Sequence, residues 1–144
     1  MSAAPKEVLL VEDDRSDVML MQEALKGGQP LVDLKIAGDG DEAMAYLRGE
    51  GRFDGAARPA LVLLDWRLPK KNGEEVLREI RRDPPLRLLP VLVLTTSGSD
   101  ADVRTAYSLG ANAFLTKPTS FIELQALASL IKGFWLTYAA LPPS

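Results

Sequence analysis

Short, fully apolar runs recur along the chain, and each stops abruptly at a polar residue. Val8-Leu9-Leu10-Val11 ends at Glu12-Asp13-Asp14, the pattern of a buried strand that terminates in acid. From Asp14 to Lys26, Val18, Met21 and Leu25 return at helical spacing, and Gly27-Gly28 supplies the stop. Leu31 to Ile36 alternates apolar and polar as a half-buried strand does, and Gly38-Asp39-Gly40-Asp41 provides a turn and a cap for a second helix running to about Arg48. Gly49 to Pro59, rich in glycine and charge, reads as an exposed loop. Leu61-Val62-Leu63-Leu64 is again fully apolar and halts at Asp65. Pro69 and Asn72-Gly73 then turn the chain into a helix carrying Val76, Leu77 and Ile80. The design repeats with Val91-Leu92-Val93-Leu94, which stops at Thr95-Thr96-Ser97 before a helix with Val103, Ala106, Tyr107 and Gly110 on one face. A last strand, Ala113-Phe114-Leu115, precedes Lys117-Pro118 and a C-terminal helix.

Five strands alternating with five helices imply a parallel sheet covered on both faces, because right-handed crossovers place helices on either side. The fold class is doubly wound α/β, in which ligands bind beyond the carboxyl ends of the strands. The residues that end each apolar run are therefore the ones to examine for chemistry.

Composition narrows that chemistry. The 144 residues, 47% of them hydrophobic, suit one domain with a real core. A formal charge of −3 argues against a surface built to attract nucleic-acid backbones. Cysteine and histidine are both absent. Thiolate chemistry, imidazole bases and imidazole metal ligands are thereby excluded, leaving carboxylates and hard cations. MSAAPKE is no signal peptide, and no apolar run approaches the roughly 18 residues of a membrane span. The expectation is a soluble, cytoplasmic protein with neither membrane nor nucleic-acid partner.

Glu12, Asp13 and Asp14 follow the first strand, Asp65 the third, Thr95 the fourth and Lys117 the fifth. Clustered carboxylates raise one another's pKa unless a cation neutralises them, and an all-oxygen site suits Mg²⁺. An ionised aspartate is a nucleophile that needs no general base, and aspartyl-phosphate is a known covalent form. Lys117 and the metal would offset charge on phosphoryl oxygens, and the Thr95 hydroxyl could donate to them. Taken singly, the acids at 12–14 read equally as helix caps, Asp65 as a turn residue, Thr95-Thr96-Ser97 as a capping loop and Lys117-Pro118 as an exposed corner. Four apolar strands ending in the required side chains, in an order the topology brings together, outweigh those readings.

The acidic pair Glu12-Asp13, Asp65 with Pro69 four residues on, Thr95, and Lys117-Pro118 resemble the receiver domains of two-component response regulators, from Glu7 to about Leu136. The resemblance implies the flavodoxin-like receiver fold with strand order 2-1-3-4-5. It makes Asp65 the phosphoacceptor for a histidine kinase, with Thr95 and Lys117 assisting and Thr95 and Phe114 as switch residues. It makes Asp13 a direct Mg²⁺ ligand, Glu12 a ligand acting through water, and the Arg67 backbone carbonyl a further ligand beside Asp65. It also implies a cis Lys117–Pro118 bond. VLLVEDD, LLDWRLPKKNGEEVLREIRRD, VLVLTTSGSDADV and Gly133-Phe134-Trp135-Leu136 look like the single-domain regulators that partner bacterial phytochrome kinases. Arg67, a bulky cation two residues beyond the acceptor, could screen a phosphoryl group from water, and Phe114 stands where many relatives carry tyrosine.

Residues 1–144 are thus expected to form one receiver domain with an extended C-terminal helix and no output domain. The expected protein is a stoichiometric phosphoacceptor, catalysing only its own phosphorylation and dephosphorylation. The last helix carries Leu124, Leu127, Ala128, Ile131 and Trp135 on one stripe, widened by Leu130, Phe134 and Phe121. That width, with Phe134 and Trp135 at its end, suggests a protein-binding surface, most simply a homodimer. Two rivals are weaker. An aspartate-nucleophile phosphatase usually has a second acid two residues after the nucleophile, where this chain has Arg67. A pure interaction module would not need the complete acid, threonine and lysine set.

Overall fold

The computed structural model describes residues 4–96 and 98–143; Ser97, in the expected loop after the fourth apolar run, lies outside them. Five strands form one parallel sheet: β1 (Lys6–Val11), β2 (Val32–Ala37), β3 (Leu61–Asp65), β4 (Val91–Thr95) and β5 (Ala113–Thr116). Their order is β2-β1-β3-β4-β5. The helices are α1 (Arg15–Leu25), α2 (Gly40–Arg48), α3 (Gly73–Arg82), α4 (Asp100–Ser108) and α5 (Phe121–Leu130), and a π-helical turn, Ile131–Tyr138, prolongs α5. The loop expected between Gly49 and Pro59 contains one short 3₁₀ turn, Gly51–Phe53.

Strand parity sorts the core into two layers. Val8, Leu10, Leu61, Leu63, Leu92 and Leu94 face α1 and α5, joining Met21, Leu25, Leu124 and Ala128. Leu9, Val11, Val62, Leu64, Val91 and Val93 face the other way, joining Ala43 and Met44 of α2, Val76, Leu77 and Ile80 of α3 and Ala106 of α4. Every residue of β3 and β4 is buried, which is why those runs are apolar without alternation. At the sheet edges, β2 alternates and β5 is half-exposed.

Side chains set the helix starts. Asp14, Asp39, Asn72, Ser99 and Ser120 each accept hydrogen bonds from first-turn amides, and Asn72 with Glu75 completes a capping box. Gly73 opens α3 against the end of β3, where an added Cβ would lie 2.6 Å from the Asp65 carbonyl oxygen and 2.7 Å from Trp66 Cα. Only glycine lets α3 approach so closely.

Two expectations fail. α4 ends at Ser108, so Tyr107 is half-exposed and Gly110 lies beyond the helix with φ +99°; of the four residues assigned to one face only Ala106 is buried and Val103 half-buried. The Lys117–Pro118 bond is trans, Gln29–Pro30 being the cis bond among the described residues; the small cis–trans difference at proline leaves the choice to tertiary context. The expected C-terminal stripe of Leu124, Leu127, Ala128, Ile131 and Trp135 does pack into the α1–α5 layer. The π-helical turn beyond Leu130, marked by Ala139 N–H to Phe134 O at 2.7 Å, adds Leu136 and Lys132 to the buried side beside Ile131, with Trp135 half-buried. Lys132 Nζ then caps α1 by donating to the carbonyls of Leu25, at 3.2 Å, and Gly27.

Candidate functional site

The parity that sorts the core also aims the strand-end residues. Continuing the register of Leu10, Leu63 and Leu115, the side chains of Glu12, Asp65 and Lys117 emerge on the α1–α5 side and line one small cleft with Asp17. Thr95 and Phe114 continue the opposite register, together with Trp66. The two groups flank the same strand ends, which is how residues from four separate segments come to share one edge.

Carboxylate oxygens of Glu12, Asp13 and Asp65 lie within 4.8 Å of one another. Glu12 and Asp65 are buried, 3% and 7% exposed, while Asp13 is exposed. Lys117 Nζ reaches into this group, donating to Glu12 Oε1, to Asp65 Oδ2 at 3.2 Å and to Asp17 Oδ2 at 3.1 Å. The other acceptor-side oxygen, Asp65 Oδ1, accepts the Arg67 N–H at 3.0 Å. Burial acts most strongly on Glu12, pushing its carboxyl from an ordinary 4.5 up to about 7; Lys117 opposes the rise and Asp65 adds to it. Burial also pulls the Lys117 ammonium down, but hydrogen bonds to Glu12 and Asp17 and the charges of Asp65 and Glu12 outweigh it and hold Lys117 charged. One ammonium thus serves several acids, leaving excess negative charge that a cation would relieve.

The three acids after β1 divide in function. Asp14 accepts from the amides of Ser16 and Asp17, so helix capping accounts for it. Asp17 was not singled out from sequence. Its place one turn into the helix that follows the acidic run is the signal that could have found it, because that turn points back over the strand ends.

Thr95 is 1% exposed at the end of β4, one residue beyond the Leu94 that pairs with Asp65. Phe114 is half-buried, with its ring edge-on to Trp66, centroids 6.2 Å apart. Gly98 makes room for it: a Cβ there would lie 2.6 Å from Phe114 Cε1. Arg67 does not lie over Asp65. Its guanidinium is 2.8 Å from Asp102 Oδ2 on α4, leaving an open cavity of about 420 Å³ lined by Asp13, Trp66, Arg67, Asn72, Glu74 and Asp102. Phe134 and Trp135 stand apart from this edge. Their rings meet edge-on at 5.4 Å, Phe134 57% exposed and Trp135 packed partly into the α1–α5 layer.

Residues 8–129 match the family model of the response regulator receiver domain. The chain belongs to that family. Response regulator Rcp1 of Synechocystis sp. is 45% identical over 141 residues, covering 98% of this chain and 96% of its own. Among solved structures, that of the phosphorylated cyanobacterial phytochrome response regulator RcpA superposes with a TM-score of 0.93 at 45% identity, covering 97% of this chain and all of the other. The Mn²⁺-bound form of Rcp1 gives 0.90, also at 45% identity, over 96% of this chain and all of the other. The five-stranded order β2-β1-β3-β4-β5 is that of the family. No helix among the described residues is long and apolar enough to cross a membrane.

Proposed function

We propose that this receiver takes a phosphoryl group from a phytochrome-type histidine kinase onto Asp65, with Mg²⁺, and passes the signal on through a protein-binding surface. The observation that carries the reading is the setting of Asp65: a buried carboxylate at the end of a fully buried strand, one oxygen fixed by the Arg67 amide and the other facing Lys117. An ionised oxygen of Asp65 attacks phosphorus as the bond from phosphorus to the phosphohistidine nitrogen breaks, the bonding pair leaving with the imidazole. Lys117, already within hydrogen-bond distance of Asp65, stays protonated and attracts the phosphoryl oxygens. The Thr95 hydroxyl is the further donor to them, and its movement would let Phe114 repack beside it.

The donor set fits a hard divalent cation, being three carboxylates whose oxygens lie within 4.8 Å and which carry charge in excess of Lys117. Glu12, Asp13, Asp65 and the Arg67 carbonyl would hold Mg²⁺, Asp13 directly and Glu12 through water. Bound there, Mg²⁺ supplies charge neutralisation for the phosphoryl oxygens. The protein acts as a stoichiometric acceptor in the cytoplasm, with no nucleic-acid partner.

Incubation with acetyl phosphate and Mg²⁺ should add one phosphoryl group by intact mass, and Asp65→Asn should remove it; full labelling of that variant defeats the assignment. For output we favour a homodimer through the exposed Leu130, Phe134 and Tyr138 row beyond Trp135. Light scattering should then show a dimer at micromolar concentration that Phe134→Glu dissociates, and a wild type that is monomeric with and without phosphodonor rejects it.

A further inference from the structure

The ion pair between Arg67 and Asp102 joins the loop after the acceptor to the first turn of α4, and nothing in the phosphoacceptor reading requires it. Arg67 is tied to the site twice, since its amide holds Asp65 Oδ1 while its side chain, 65% exposed, spans to Asp102. It carries the one positive charge among the described residues lining the cavity that opens beside Asp13, and that cavity leaves the guanidinium room to swing. Lys117, by contrast, is already shared among Glu12, Asp17 and Asp65.

On the other side of the pair, α4 is lightly held. Ala106 is its one buried residue. Polar contacts do much of the rest: Arg67 at the N-terminal turn and, near the other end, the Tyr107 hydroxyl, which accepts the Phe114 N–H on the outer edge of β5 at 3.2 Å. Loss of either contact therefore weighs more on α4 than it would on α3, which buries Val76, Leu77 and Ile80.

We propose that the Arg67–Asp102 pair is a latch on α4 that the phosphoryl group opens by drawing Arg67 to itself. This rests on Asp65 being the phosphoacceptor. Phosphorylation replaces a single negative charge with nearly two and adds strong acceptor oxygens, and a planar guanidinium matches them better than it matches the one carboxylate of Asp102. The transfer needs no further reactant, because one ion pair is exchanged for another. Asp102 is left without its cation, and the first turn of α4 loosens.

Hydrogen exchange read by mass spectrometry over the α4 amides tests this, with intact mass reporting phosphorylation on the same samples. In the wild type, acetyl phosphate with Mg²⁺ should raise α4 exchange about fivefold, the scale of one exposed ion pair. Asp102→Ala should show that faster exchange before phosphorylation and little change after it. The reversed pair, Arg67→Asp with Asp102→Arg, keeps the link to α4 but offers no loop cation, so α4 should stay protected once Asp65 is modified. Phosphorylated wild type with α4 exchange unchanged overturns the latch, as does an Asp102→Ala variant as protected as the wild type. A wild type that takes up no phosphoryl group overturns the phosphoacceptor reading itself, a result the mass reports separately.

Discussion

Replacing Lys117 with methionine tests how the acidic edge is held together. Methionine keeps most of the apolar length and removes the ammonium. The Lys117 side chain is 13% exposed, and its partners Glu12 and Asp65 have side chains 3% and 9% exposed, so two buried carboxylates lose their cation at once. Breaking a buried pair by deleting one partner costs about 3–5 kcal/mol. Asp17, 37% exposed, adds little to that because water screens it. The lower end of the range applies, since the carboxyls can take up a proton, giving about 3 kcal/mol. With a urea slope of roughly 2 kcal/mol per molar, the unfolding midpoint in EDTA should fall by about 1.5 M. Adding Glu12→Gln to Lys117→Met removes one of the two orphaned charges and should restore about half the loss. Mg²⁺ should stabilise Lys117→Met more than the wild type, because no ammonium competes for the same oxygens. A Lys117→Met midpoint in EDTA equivalent to less than about 0.5 kcal/mol of loss, the scale of an ordinary surface substitution, would refute the reasoning.

Two further substitutions probe the opposite end of the sheet and the flank of the site. Arg81→Ala removes all five guanidinium bonds, to Gly110 O twice, Arg87 O, Leu89 O and Asn112 Oδ1 at 2.7–3.0 Å, and should cost about 3 kcal/mol in urea unfolding while Asp65 labelling at low denaturant is preserved; parallel losses of both would contradict it. Gly98→Ala places a methyl 2.6 Å from Phe114 Cε1, so the ring must leave Trp66, and the emission of Trp66 in a Trp135→Phe background should shift with about 1–2 kcal/mol of destabilisation. Unchanged emission would mean that Phe114 does not rest where Gly98 admits it.

What could be read from sequence is what depends on one strand or one helix at a time. Runs such as Leu61 to Leu64 announced β3 because both faces of a central parallel strand are buried, and an acid directly after such a run has nowhere to go but the sheet edge. The gathering of Glu12, Asp13, Asp65 and Lys117 followed from topology alone. Contacts made across elements left no local trace. The capping of α1 by Lys132 depends on a π-helical turn that no periodicity announces, and a lysine in an otherwise apolar stretch reads as solvated. Asp102 pairs with Arg67 across 35 residues of sequence, and neither position looks unusual by itself.

The two ends of the sheet are built on opposite principles. At the amino end polar groups are matched to partners: Arg81 uses all five donors, Asn112 Oδ1 also accepts the Val91 N–H at 2.8 Å, and the Tyr46 hydroxyl donates to Glu7 at 2.7 Å. At the carboxyl end charge is left in excess, with Glu12 pushed up to about 7 by burial beside Asp65. A protein can carry such imbalance where the surrounding backbone is stiff, and β1, β3, β4 and α3 supply that stiffness through their buried side chains. A change of charge at Asp65 would therefore find little give in the sheet behind it. On the latch reading it would relax at α4, which buries only Ala106 and is otherwise tied by Arg67 and Tyr107. The same asymmetry that makes the site costly to build would then select α4 as the surface that moves when its charge changes.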